Sequence, residues 1–259
     1  MSKEGNTKEV TIKKEGALAI NVFEADADKG TQNITQEDLA LPFLKVLMPL
    51  SPEVNKKDGK YVEGSEPGMI FNSVTKELYD GAKGINVLPC HYLKQYVEWQ
   101  DRGTSSGGPV AVHRADSDIM SKVTRDKFNK ERLTNGNYIE TTANHFVFLL
   151  GDNPSTALIS MKSTSLSVSR KWLATIMGIK LQGKDGLFTP PTYSHIYNLK
   201  TGQMTNDKGT WFGWTYTKVG PITNTAIYEM AKEFSERVSK GKVQTRDTSD
   251  SEKSEPIPF

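Results

Sequence analysis

Between residues 85 and 219 the apolar pattern changes period twice, and that order limits the fold more than anything else in the chain. "INVLPCHYLKQYVEW" (85–99) is rich in β-branched and aromatic residues and reads as one long strand. A polar, glycine- and charge-rich stretch (101–141) follows. "NHFVFLL" (144–150) and "TALISMK" (156–162) form a hairpin around Gly151-Asp152-Asn153-Pro154. In "TSLSVSRKWLATIMG" (164–178) the spacing of Leu166, Val168, Trp172, Leu173, Ile176 and Met177 is helical, with Thr164 or Ser165 as cap and Gly178 as stop. "TYSHIYNL" (192–199) and "TWFGWTYTKV" (210–219) are two more strands, joined by turn-rich "KTGQMTNDKG". Five strands with a helix between the third and fourth is the element order of the OB-fold, a partly open barrel that binds oligonucleotides. The expected class is therefore mainly β (α+β), an OB-fold-like five-stranded barrel with flanking helices and disordered ends. The helix at 164–178 is the joint of this reading: a strand there would dissolve it.

The flanks are simpler. Residues 1–34 are poor in apolar side chains and mixed in charge, which predicts disorder. "TQEDLALPFLKVLMPLSP" predicts a helix from about Thr35 to Leu47, with Pro42 as a kink or the true start. Short strands or hairpins are expected around Tyr61–Val62 and Met69–Val74, and part of "DIMSKVTRDKFNKERL" could be helical. Residues 222–241 predict a charged amphipathic helix. The expected organisation is a segment 1–34, a binding domain 35–241 with an N-terminal extension and a C-terminal helix, and an acidic flexible tail 242–259.

Charge is informative once it is localised. The net charge is only +2, yet residues 153–218 hold eight basic side chains against Asp185 and Asp207 alone, while 1–34 and 244–259 are both net negative. A basic middle between acidic ends suits a polyanion binder. No run approaches the roughly 18 apolar residues of a membrane helix, and the N-terminus lacks the apolar segment of a secretory signal. Cys90 is the single cysteine, which rules out an intrachain disulfide and fits a reducing cytoplasm.

Aromatic and basic residues interleave through 92–102 and 162–218. On strand 210–219, alternation puts Phe212, Trp214, Tyr216 and Lys218 on one face and Trp211 on the other. Phe212 and Trp214 either stack on bases or fill the core, with Tyr216 and Lys218 expected outside it; if the row is core, Trp211 becomes the stacker. Tyr193, His195 and Tyr197 share a face too polar for a comfortable core, so exposure is expected. Tyr92, Lys94, Tyr96 and Glu98 make an amphipathic face, with Leu93, Val97 and Trp99 as core. Trp172 reads as core. Sequence-tolerant single-strand binding needs rings for the bases and cations for the phosphates. The candidate DNA-binding set is Tyr92, Lys94, Tyr96, Trp99, Arg102, Lys162, Arg170, Lys171, Tyr193, Tyr197, Trp211, Trp214 and Tyr216.

Catalytic chemistry is poorly represented. CxxC and HExxH motifs are absent and the four histidines are scattered, so no metal and no cofactor are expected. "GTSSGGP" (103–109) lacks the lysine of a phosphate loop, and Cys90-His91 point to opposite faces of a strand. A non-enzyme is expected, with a nuclease, recombinase or annealing factor as the rival.

The last residues, "EPIPF", resemble the C-terminal tip of bacterial single-stranded DNA-binding proteins, which ends in Ile-Pro-Phe behind an acidic run. That resemblance implies that Ile257, Pro258 and Phe259 hold a partner protein of replication, recombination or repair. Pro256 and Lys253 depart from its acidic pattern. "LALPFLKVLMPLSPEV", "YVEGSEPGMIFNSVTKELYDG" and "GINVLPCHYLKQYVEWQDRG" resemble a phage-encoded family taken to be single-stranded DNA-binding proteins, over about residues 37–220. Together these imply a phage protein of the host cytoplasm that coats and protects single-stranded DNA. Its expected partners are single-stranded DNA and proteins recruited by the tip, with no membrane. A homo-oligomer and a cooperative filament on DNA are both open.

Overall fold

The computed structural model describes residues 20–27, 29–34, 39–101, 108–207 and 209–243. The chain divides into two units, Met1–Leu39 and Ala40–Phe259. In the first, a six-residue helix α1 (Ile20–Ala25) leads into turns, one closed by the Ile34 amide donating to the Thr31 carbonyl at 2.9 Å.

The second unit is built on five long antiparallel strands: β4 (Ile85–Trp99), β8 (Tyr138–Leu150), β9 (Ser155–Lys162), β12 (His195–Asn206) and β13 (Gly209–Pro221). They lie in the order β9-β8-β4-β12-β13. Numbered along the chain this is 3-2-1-4-5, with α2 (Leu166–Met177) between the third and fourth. The sheet curls into a half-barrel, and among the described residues no ladder joins its edges β9 and β13.

A second, three-stranded sheet fills that gap. Its strands are β1 (Leu44–Val46), β2 (Ile70–Asn72) and β3 (Leu78–Tyr79), in the order β1-β2-β3. On the β9 side, Phe43 bridges Leu158 in parallel and the Leu158 amide donates to the Pro42 carbonyl at 2.8 Å. Towards the β12–β13 hairpin, the Thr201 amide donates to Gly81 O at 2.8 Å and the Thr201 hydroxyl donates to Gly68 O. Phe212 rests on Gly68, whose φ of +91° is one that side chains rarely adopt.

The inner face of the half-barrel buries Val87, Val147, Ile159, Met161, Trp172, Tyr197, Leu199 and Trp214 together with Leu44 and Ile70. The outer face buries Leu88, Cys90, Phe146, Phe148 and Leu158 under Ala231, Phe234 and Val238 of α3 (Thr225–Ser239). Both faces are covered where α2 and α3 lie, which explains the nearly continuous apolar run of Phe146–Leu149. β4 carries a bulge between Pro89 and His91, leaving Cys90 as the extra residue.

Residues 108–137, which the sequence left largely unread, form β5 (Ala111–Arg114) on β4 and the pair β6 (Thr124–Arg125) and β7 (Glu131–Arg132) on β8. Ile119 packs there against Tyr96 and Ile139 in a small core of its own.

Several expectations are corrected. The helix expected from Thr35 to Leu47 is instead extended chain and β1; residues 35–38 lie outside the described residues. Pro42 biases its predecessor away from helix, and pairing with β2 and β9 decides the rest. Tyr61 and Val62 form no strand; the Val62 amide donates to Glu53 O. The stretch 118–133 has one 3-10 turn (Asp118–Lys122) and the β6–β7 pair rather than an α-helix. Much of the turn-rich linker 200–209 is strand, because β12 and β13 pair as far as Asn206 and Gly209. The helix at 164–178 is present as α2, followed by a separate two-stranded hairpin of β10 (Leu181–Gly183) and β11 (Gly186–Phe188).

The clasp between the two sheets is tight. A Cβ at Gly81 would lie 2.0 Å from both the Gly68 carbonyl oxygen and Thr201 Oγ1. Gly81→Ala is therefore expected to cost about 1–3 kcal/mol, read as a lower urea midpoint at unchanged slope. A wild-type midpoint would show that this clasp does not hold the sheets.

Candidate nucleic-acid interface

Where β9 ends and α2 begins, the chain makes a 3-10 turn, Ser163–Ser165. Two adjoining depressions open beside it. One, of 330 Å3, is lined by Lys45 and its neighbours on β1, by Ser160 and Lys162 of β9, and by Trp211, Phe212 and Trp214 of β13. The other, of 430 Å3, is lined by Ser163–Ser165, Arg170, Met204, Trp211 and Trp214. They share Thr164, Ser165, Trp211, Gly213 and Trp214, so they form one groove across the gap that β1 fills.

The sequence produces this groove locally. β13 alternates, so Trp214 enters the core while Trp211 stays half-buried at the rim. α2 is fixed by Trp172, fully buried and stacked 4.7 Å from His145 and 6.2 Å from Tyr216. Tyr216 also shares a hydrogen bond with Thr175 Oγ1 at 2.9 Å. With Trp172 and Ser169 inward, Arg170 and Lys171 are left exposed, and neither forms an ion pair among the described residues.

The groove's lysines are different. Lys162 Nζ sits 3.3 Å from Glu140 Oε2 and 5.5 Å over the Trp99 ring. Lys45 Nζ sits 2.6 Å from Glu53 Oε1, and Glu53 is buried. On the α2 side of the sheet, Lys94 lies 4.9 Å over Tyr96, and Tyr92 packs on His145 at 5.2 Å. Burial raises the Tyr92 hydroxyl above its ordinary pKa, while the nearby charges of Lys94 and Arg170 pull it back.

Of the thirteen expected DNA contacts, the groove thus gathers Lys162, Arg170, Trp211 and Trp214, with Trp99 beside Lys162 and Lys171 next to Arg170. Tyr92 and Lys94 lie towards Arg170. Tyr96 and Tyr216 belong mainly to packing: Tyr96 is buried in the small core and Tyr216 is stacked on Trp172. Tyr193 stands apart, paired with Tyr228 of α3 at 5.2 Å. Exposure of the Tyr193–His195–Tyr197 face is corrected: Tyr197 is fully buried and His195 nearly so. Tyrosine rings are apolar enough for a core. The cost shows in the Tyr197 hydroxyl, which has no hydrogen-bond partner and is pushed up to about 12 by burial. Leu93, expected in the core, is exposed. Arg102 and the tip Ile257, Pro258 and Phe259 lie outside the described residues. Lys45 was missed because its segment read as helix.

Cys90 is buried, and its thiol is pushed up to about 12. Among the described residues no three His, Cys, Asp or Glu side chains gather to hold a metal. Among the described residues no helix is long and apolar enough to cross a membrane.

A β-rich chain with a curled antiparallel sheet and a basic, aromatic groove is the class the geometry defines. Residues 13–244 match the family described as Pam3 phage gp34-like protein, and the chain belongs to this bacteriophage family. No curated protein and no solved structure matches it.

His145 supplies a test of the α2 seat. It is buried, shares a hydrogen bond with Ser169 Oγ at 2.7 Å, and desolvation lowers it from 6.5 to about 3. The unfolded chain therefore takes up this proton near pH 6.5, whereas the folded chain resists it down to about pH 3. Stability is expected to be full above pH 6.5 and to fall progressively towards pH 3. Urea midpoints measured from pH 8 to 4 should fall more steeply for the wild type than for His145→Gln; parallel curves would refute this role.

Proposed function

We propose that this chain is a single-stranded DNA-binding protein with an OB-type barrel, and that it coats DNA with little sequence preference. The observation that carries the reading is that Lys162 on the third long strand, Arg170 on the intervening helix, and Trp211 and Trp214 on the fifth strand line one groove. The strand order 3-2-1-4-5 with α2 between the third and fourth supports it, because OB-type barrels bind oligonucleotides across the second and third strands and the neighbouring loops. The gap between β9 and β13, filled by β1, leaves a partly open barrel.

In this reading Arg170 and Lys171 replace counterions on the phosphates while Trp211 stacks on a base. A duplex, with its bases already stacked, cannot offer one to Trp211, so the protein melts hairpins. The setting is phage DNA replication or recombination in the host cytoplasm. The terminal Ile257-Pro258-Phe259 would recruit partner proteins, the two prolines limiting the entropy lost on docking.

Titrating the full chain with a dT oligomer should quench tryptophan fluorescence saturably, and the affinity should weaken as salt rises. Trp211→Ala should lose about 1–3 kcal/mol of binding with an unchanged far-UV spectrum. No quenching and no retained oligomer would end this reading. Metal-dependent cleavage of the strand would replace it with a nuclease, and accelerated pairing of complementary strands would point to an annealing factor.

A further inference from the structure

The two halves of the groove differ in how their cations are held. The 330 Å3 half has two lysines in its lining, each already paired with a carboxylate. Glu53, the partner of Lys45, is buried, its carbonyl accepts from the Val62 amide and the Ser65 hydroxyl, and its second carboxylate oxygen has no hydrogen-bond partner. An incoming phosphate would have to displace Glu53 or Glu140 from its lysine, or sit beside that carboxylate at close range where like charges repel. In the 430 Å3 half, Arg170 has no such partner among the described residues.

We infer that the cavity between β1, β9 and β13 receives a nucleobase, and that the phosphates of the same strand run past Arg170 in the adjoining cavity. This rests on the single-strand reading above. The base cavity has what a neutral planar ring needs. Trp211 and Phe212 offer aromatic surface. Each lysine keeps N–H donors beyond the one given to its carboxylate. Ser73 Oγ accepts from the Phe43 amide at 2.9 Å and retains its own hydrogen to donate. A volume of 330 Å3 falls at the lower end of the range of about 300–1,000 Å3 for small-ligand cavities. Because the two halves share Thr164, Ser165 and Trp211, neighbouring parts of one nucleotide can occupy both.

The consequence is that Lys162 and Arg170, both basic and both in the groove, behave differently with salt. The full chain is titrated by fluorescence anisotropy with a labelled dT oligomer, and with the same oligomer made abasic, over a range of NaCl. Arg170→Ala should reduce the slope of log affinity against log salt by about 0.7, the loss of one phosphate contact on a single strand. The double variant Lys162→Gln/Glu140→Gln removes a neutral pair, so it should weaken binding without changing that slope. Removing the bases should cost the wild type about 5- to 150-fold per stacked base, and the cost should shrink in Trp211→Ala. A slope lowered as much by the double variant as by Arg170→Ala would overturn the division. An abasic penalty that Trp211→Ala leaves intact would do the same. If the folded wild type binds neither oligomer, it is the single-strand reading itself that fails.

Discussion

Trp172 occupies the one position from which the rest of the groove is set. It is the bulkiest fully buried side chain among the described residues, and its ring ties α2 to three strands, meeting His145 on β8, Tyr197 on β12 and Tyr216 on β13. Losing a tryptophan of this kind to alanine costs about 3–5 kcal/mol. The same contact fixes the rotation of α2 about its axis. With Trp172, Ser169 and Ile176 inward, Arg170 must face the groove side, and the turn Ser163–Ser165 must lie over the open edge of the half-barrel.

The open edge is the second constraint. A curled sheet of five strands whose first and last members do not pair exposes two rows of backbone groups, an arrangement proteins avoid. Here a short sheet of three strands covers part of the β9 row through Pro42 and Phe43, and is tied to the other end of the sheet by Gly68 and Gly81, which accept from Thr201 of β12, and by Phe212 of β13 resting on Gly68. The cover leaves a depression where the strands diverge. Structural incompleteness and a candidate binding groove thus share one physical origin.

Much of this was legible in the sequence where local periodicity and tertiary structure agree. The helix at 164–178, the hairpin around Gly151–Pro154 and the long strand from Ile85 all carry their own pattern. β1 carries none: three residues cannot announce a strand, and Leu44–Val46 becomes one only because β2 pairs with it and β9 bridges to the chain beside it. The extra residue Cys90 changes the parity of β4 halfway along, so Leu93 emerges on the surface although alternation suggested burial. Tyr197 misled for another reason. Its hydroxyl suggests exposure, but its ring area dominates once α2 closes over it. Lys162, Arg170, Trp211 and Trp214 were identifiable as a basic and aromatic set, while their convergence, and the carboxylates that neutralise Lys45 and Lys162, exist only in three dimensions.

The account turns on the groove being the place where a single strand lies. Amide hydrogen exchange of the full chain, with and without saturating dT oligomer, tests that directly. The account predicts slowed exchange at Ser160–Ser165 and Thr210–Trp214, with α3 on the far side of the sheet unchanged. Protection confined to α3 or to the β5–β7 region, with the groove unaffected by bound oligomer, would contradict it.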